Sequence, residues 1–315
     1  MTAAAGMLNP QAPRAGWIKR VLGPLYVTGV FWYRFWAFGV RIVPGSVKGP
    51  AIAVCALVFT VLLRRIGHAI RGNLAVVLGP CGWWQGQVRV WRTLRDFAWC
   101  VTERTEQLFG LRTARAELED PGVWHALGEA PGGFVFVTAH VGGWESGSFL
   151  PAHASTRRVH LVREPEMDPR AQEFVRRQLA RLDPARYVTH FAHDDATLGV
   201  ELLAALRRGE IVALQGDRPR AGQAGVPVQL FGRTVEFPAG PAALARAAEV
   251  PLVPVFAFRI GRLQYRVSIR KPIVVARSAD READVRAALQ QLAVEIEAAI
   301  RARPHHWFCF APLWT

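Results

Sequence analysis

The chain has 315 residues, 51% of them hydrophobic, which suffices for one large α/β core or two small ones and excludes a disordered tail or a disulfide mini-protein. Against 25 Asp and Glu stand 39 Lys and Arg, of which only Lys19, Lys48 and Lys271 are lysine, so a formal charge of +14 is carried almost wholly by guanidinium groups. These seek carboxylates and phosphates, but the eleven tryptophans and positive mean hydropathy disfavour a nucleic-acid module and favour a membrane face.

Two apolar runs open the chain, one over 22–40 broken by Arg34 and one over 49–63 ending at Arg64-Arg65. Neither reaches the ~18 uncharged residues of a confident span. Trp32, Tyr33, Trp36 and Phe38 suit the headgroup level, and Arg14, Lys19, Arg20, Arg41, Lys48, Arg64 and Arg65 flank the runs on every side. The expectation is a segment 1–72 that lies in the membrane as interfacial helices or a hairpin, followed by an α/β domain over 73–315. The start lacks a short apolar stretch closed by a small-residue cleavage site, which favours a reducing, cytoplasmic setting. Four scattered cysteines, Cys55, Cys81, Cys100 and Cys309, form no C-x-x-C pair and suggest neither a metal cluster nor a disulfide framework.

Trp91, Leu94, Phe97 and Val101 recur at helical spacing, and Pro131-Gly132-Gly133 then breaks the chain. Strands are predicted over 134–138, 158–162, 186–189, 211–215, 226–231, 252–258 and 265–269. Helices are predicted over 169–182, 196–207, 241–248 and 281–301. Alternation of the two gives a mainly parallel central sheet flanked by helices.

Ligands of open α/β sheets bind at the carboxyl ends of strands. The first such end reads Ala139-His140-Val141-Gly142-Gly143-Trp144-Glu145-Ser146-Gly147. A histidine and an acid five residues apart would lie about 140° apart on a regular helix, so they converge only across a turn. Gly142-Gly143 supplies one. The same spacing recurs in His190 and Asp195, within a glycine-free polar stretch containing His193 and Asp194. That stretch reads as a loop capping a helix, with a metal site as its alternative. Asp217-Arg218 follows the strand 211–215 and marks another carboxyl end, where a role in the site competes with a structural ion pair. No G-x-S-x-G, P-loop or G-x-G-x-x-G occurs.

The run Val137 to Gly147 resembles the H-x-x-x-x-D/E motif of lysophospholipid acyltransferase-type enzymes, in the form carried by bacterial lipid A late acyltransferases and their mannoside-acylating relatives. Arg64-Arg65 with Asn73-Leu74, Val162-Arg163 with Pro165, residues 206–217, Phe231-Gly232, residues 240–245 and 251–254, and His306-Trp307-Phe308 with Trp314 are similar to further family blocks in the same order. The resemblance implies a membrane O-acyltransferase of lipid A, lipopolysaccharide or glycolipid biosynthesis at the cytoplasmic face of the bacterial inner membrane. It implies an acyl carrier protein or coenzyme A thioester as co-substrate, and neither a cofactor nor a metal. His140 would then be the general base and Glu145 would fix its tautomer. Gly142 and Gly143 amides would face the oxyanion, and Arg163, Asp217 and Arg218 would line the substrate site. Gly143 stands where the lipid A enzymes carry Asn, and Gly216-Asp217-Arg218 is nearer the mannoside-acylating branch. The competing readings are a lipid esterase or thioesterase acylated on Ser146 or Ser148, and a non-catalytic basic membrane-binding protein. The basic groups Arg176-Arg177-Arg181 and Arg207-Arg208 read as solvated helix faces, or as landing sites for an acidic carrier or anionic lipid.

Overall fold

The computed structural model describes residues 30–147, 156–166, 168–192, 197–220 and 222–314. Ser148, the trio His193, Asp194 and Asp195, and the basic residues before position 30 lie outside the described residues.

Four helices come first: α1 (Val30–Ile42), α2 (Gly45–Leu62), α3 (Arg64–Leu78) and α4 (Trp83–Leu108). Of the described helices, α2 alone is long and apolar enough to cross a membrane. It turns Lys48, Ile52 and Ala56, each four residues apart, onto the protein, as one stripe of a 3.6-residue repeat must. Lys48 pairs there with buried Glu106 of α4, while Val54, Leu57, Val58, Val61 and Leu62 remain exposed.

Seven strands form the main sheet in the order β1-β9-β8-β2-β5-β3-β4. These are β1 (Arg115–Leu118), β2 (Phe134–Thr138), β3 (Val159–Arg163), β4 (Tyr187–Phe191), β5 (Ile211–Gln215), β8 (Leu252–Gly261) and β9 (Gln264–Ile269). The run β8-β2-β5-β3-β4 is parallel, whereas β9 pairs antiparallel with β8 and β1 follows β9. A separate hairpin joins β6 (Val226–Leu230) to β7 (Arg233–Phe237). The sequence predicts a strand over 226–231 and nothing after it; Phe231 and Gly232, both at positive φ, instead turn the chain back into a second strand.

Between the strands lie α5 (Pro121–Glu129), α6 (Trp144–Gly147), α7 (Pro169–Leu179), α8 (Thr197–Arg207) and α9 (Gly240–Ala248), and α10 (Arg281–Ala302) follows the last. Alternation along β2 feeds two cores. Val135 and Val137 join Leu206, Ala245 and Leu292 on one face; Phe134 and Phe136 join Trp124 and Tyr265 on the other. The first core also holds Ile70, Leu74, Val90 and Leu94. The expected division after residue 72 therefore falls inside α3, between two residues of one core. Asn73 explains the Asn-Leu pair: its buried amide donates to the carbonyls of Cys309 and Ala311 at 3.2 and 2.8 Å and accepts from the amide of Leu313 at 3.1 Å.

Candidate active site

β2 and β5 are neighbouring parallel strands, with Thr138 paired to Gln215. Two residues further on, each strand delivers one polar side chain: His140 and Asp217. The ring Nδ1 of His140 lies 2.8 and 3.1 Å from the two Asp217 oxygens, and its backbone N–H donates to Oδ2 at 3.2 Å. Burial pushes the Asp217 carboxyl up, but the charges of His140 and Arg218 and both hydrogen bonds from His140 outweigh it. The carboxyl is held well below the usual range and stays ionised. An ionised carboxylate requires a proton on Nδ1, which leaves the Nε2 lone pair free. Among the described residues Nε2 has no hydrogen-bond partner, and the ring is a quarter exposed.

Glu145 does not take the part on the imidazole that its spacing suggested. Its Oε2 meets Arg104 of α4 at 2.8 Å and its Oε1 meets Arg163, at the end of β3, at 2.7 Å. The physical reason is direction: the turn carries Glu145 into α6, which packs against α4, while the neighbouring strand already supplies a carboxylate to His140. Burial raises Glu145, yet the two guanidinium groups overcome it and hold the acid below its ordinary value. Burial pulls Arg104 down despite Glu145, whereas in Arg163 the pull of Glu145 outweighs burial.

The expected oxyanion donors are also corrected. Gly142 N–H donates to the carbonyl of His306 at 2.8 Å and Gly143 N–H to that of Ala257 at 2.7 Å, so both amides are spent on holding the turn. The glycines serve close approach instead. Gly142 has φ 67°, and a Cβ there would lie 2.2 Å from the Ala257 carbonyl oxygen. At Gly143 a Cβ would lie 2.4 Å from the Tyr265 ring. Arg218 Nε sits 3.6 Å from Asp217 Oδ2 and is buried with no hydrogen-bond partner, so a free donor remains beside the pair.

Sequence reasoning missed Arg104 and Glu166, and it placed Tyr33 at the headgroup level, whereas its hydroxyl turns to the protein. Arg104 had a signal, since Phe97, Val101 and Arg104 share one helix face. Tyr33 donates its hydroxyl to Glu166 at 2.9 Å, tying α1 to the loop after Arg163. His190 is also reassigned. Its Nε2 lies 2.9 Å from His160 Nδ1, and His160 Nε2 lies 2.7 Å from Glu210. Among the described residues no group of three or more acids, histidines or cysteines is placed to hold a metal.

A polar pair at adjacent strand ends, a turn clamped by the C-terminal segment and an acid between two arginines form one constellation. Over residues 18–315 the sequence matches the profile of the family described as bacterial lipid A biosynthesis acyltransferase. The chain belongs to this family. It is thus an acyltransferase of a family whose acceptor is a lipid. No curated protein matches the chain. In this acyltransferase the aromatic ending has a visible purpose: Phe308 N–H donates to the His140 carbonyl at 2.8 Å, and the Phe308 ring meets Trp144 and Phe97.

His306, in that clamp, makes the fold sensitive to pH. Burial lowers its ring to about 4, with Asp96, 3.9 Å away, opposing. Between about pH 4 and 6.5 the unfolded chain therefore binds more protons at this residue than the folded one, so stability rises with pH and is lost on acidification through that window. At pH 5 the loss from this ring is about 2 kcal/mol. Denaturant melts of the wild type and His306→Asn at pH 7 and pH 5 check this. The wild type should lose that much more than the variant on acidification, and parallel losses would refute it.

Proposed function

We propose that the acyltransferase moves a fatty acyl group from an acyl thioester, on acyl carrier protein or coenzyme A, to a hydroxyl of a membrane glycolipid of the lipid A type by direct attack. The observation that carries this reading is the His140–Asp217 pair with its open Nε2. Nε2 takes the proton of the acceptor hydroxyl as its oxygen attacks the thioester carbonyl. Asp217 holds the tautomer and stabilises the imidazolium that forms. The tetrahedral oxyanion meets positive charge from Arg218, in place of the occupied glycine amides. Collapse expels the thiolate, which takes the proton from His140, leaving ester and thiol with the base restored.

Attachment is monotopic in this proposal. α2 packs along α4 through Lys48, Ile52 and Ala56, and α4 carries Arg89, Arg92, Arg95, Asp96, Glu103, Arg104 and Glu106, a set too charged to enter hydrocarbon. The pair lies on the bilayer with the exposed edge of α2 and with Phe31, Phe35 and Phe38 of α1 in the interface. The domain faces the cytoplasm at the inner membrane, where acyl thioesters are made.

Direct attack is tested by mass. Incubation with acyl thioester alone should leave the protein mass unchanged, and added acceptor vesicles should yield acylated lipid rather than free fatty acid. An acyl adduct on Ser146 or Ser148 formed without acceptor would replace this mechanism by that of an esterase or thioesterase.

A further inference from the structure

The acyl-transfer chemistry leaves one recess unused. It lies between α1 and α7, encloses about 280 Å³, and its lining includes Arg34, Phe38, Arg41, Phe109, Gln178 and Arg181. The Arg41 guanidinium stands 4.2 Å from the Phe109 ring centroid and that of Arg181 stands 5.0 Å from it, so two cations share one aromatic ring. Neither they nor Arg34 have a carboxylate partner among the described residues. Their neighbours on α7 differ, since Arg176 and Arg177 both close onto Glu173. Like charges gathered at an apolar wall repel until an anion joins them. Gln178 adds an independent sign: its buried side-chain Oε1 has no hydrogen-bond partner, and a half-turn of the amide would place N–H donors there.

Two features identify the anion. Phe31, Phe35 and Phe38 are exposed on α1, so the recess opens beside an apolar aromatic face. Its volume takes one phosphate with a few attached atoms, not the convex helix of an acidic carrier protein. It is also linked to the loop after β3, because Tyr33 packs on Phe174 of the recess lining, ring centroids 5.8 Å apart, while donating to Glu166.

We propose that this recess binds the phosphate of an anionic lipid, Arg41 and Arg181 forking onto its oxygens while the apolar part follows α1. The role this gives the recess, holding a phosphorylated acceptor for transfer, rests on the acyl-transfer reading; the binding does not.

The test is co-sedimentation of the full chain with phosphatidylcholine vesicles containing either phosphatidic acid or oleate, which is anionic without a phosphate. Arg41→Gln with Arg181→Gln should weaken binding to phosphatidic acid vesicles at least about tenfold and leave oleate binding little changed. Arg176→Gln with Arg177→Gln removes the same charge and should cost less than about twofold. Equal losses in the two pairs would overturn the proposal, as would no loss in the first. Should the glutamine pair fail to fold, Arg41→Lys with Arg181→Lys keeps the charge without the fork and should still lose affinity; unchanged affinity overturns the proposal. Thermal stabilisation by glycerol 3-phosphate with vesicle binding unaffected by the variants would assign a soluble phosphate instead. Loss of acyl carrier protein binding alone would assign the carrier. His140→Ala measured in parallel should bind vesicles like the wild type, which separates failure of this site from failure of the catalytic reading.

Discussion

Asp217→Asn should lower acyl transfer about 10³- to 10⁴-fold while the protein remains folded. The carboxylate accepts both the ring Nδ1–H and the backbone N–H of His140. An amide in its place offers N–H groups to Nδ1, which favours the opposite tautomer and puts the proton on the nitrogen meant to receive one. His140→Ala should cost as much, and the double variant no more than either single one, because the two side chains act as a unit. Steady-state transfer to acceptor vesicles, with circular dichroism to confirm folding, measures all three. Activity within tenfold of wild type in Asp217→Asn, or losses that multiply in the double variant, would remove Asp217 from this role.

The location of this pair was legible before the structure, whereas its wiring was not. A strand ending at Thr138 and another at Gln215 are both readable from apolar runs, and the residues after each end mark site positions. Placing His140 beside Asp217 requires knowing that these two strands are neighbours in the sheet order, which depends on long-range pairing across 77 residues. Spacing along the chain favoured Glu145 because five residues are visible in a sequence and an adjacent strand is not. The glycine amides failed for a similar reason: their acceptors, His306 and Ala257, come from distant segments. β1 was missed because three of its four residues are exposed and no apolar alternation marks it. β2 was found because every residue but the last is buried.

Glu145→Gln should chiefly cost stability, about 3 kcal/mol, through the two arginines it leaves facing each other. Arg104 and Arg163 approach its two oxygens at 2.8 and 2.7 Å, and all three side chains are less than a quarter exposed. Removing the central charge from a buried triad uncovers repulsion that water screens poorly. Replacing the whole triad should be mild by comparison. Arg104→Met, Glu145→Leu and Arg163→Met together remove both the attraction and the desolvation penalty, and should recover most of the lost stability. On the resemblance's expectation that Arg163 lines the substrate site, that triple variant should nevertheless stay poorly active, because this guanidinium is gone from the end of β3. Chemical denaturation and transfer assays on the single and triple variants therefore separate two roles for the acid. If Glu145 instead worked through His140, Glu145→Gln would lose as much activity as Asp217→Asn with an unchanged melting transition. The geometry predicts the reverse order: a lowered melting transition in Glu145→Gln, stability regained without activity in the triple variant, and the steepest activity loss at Asp217.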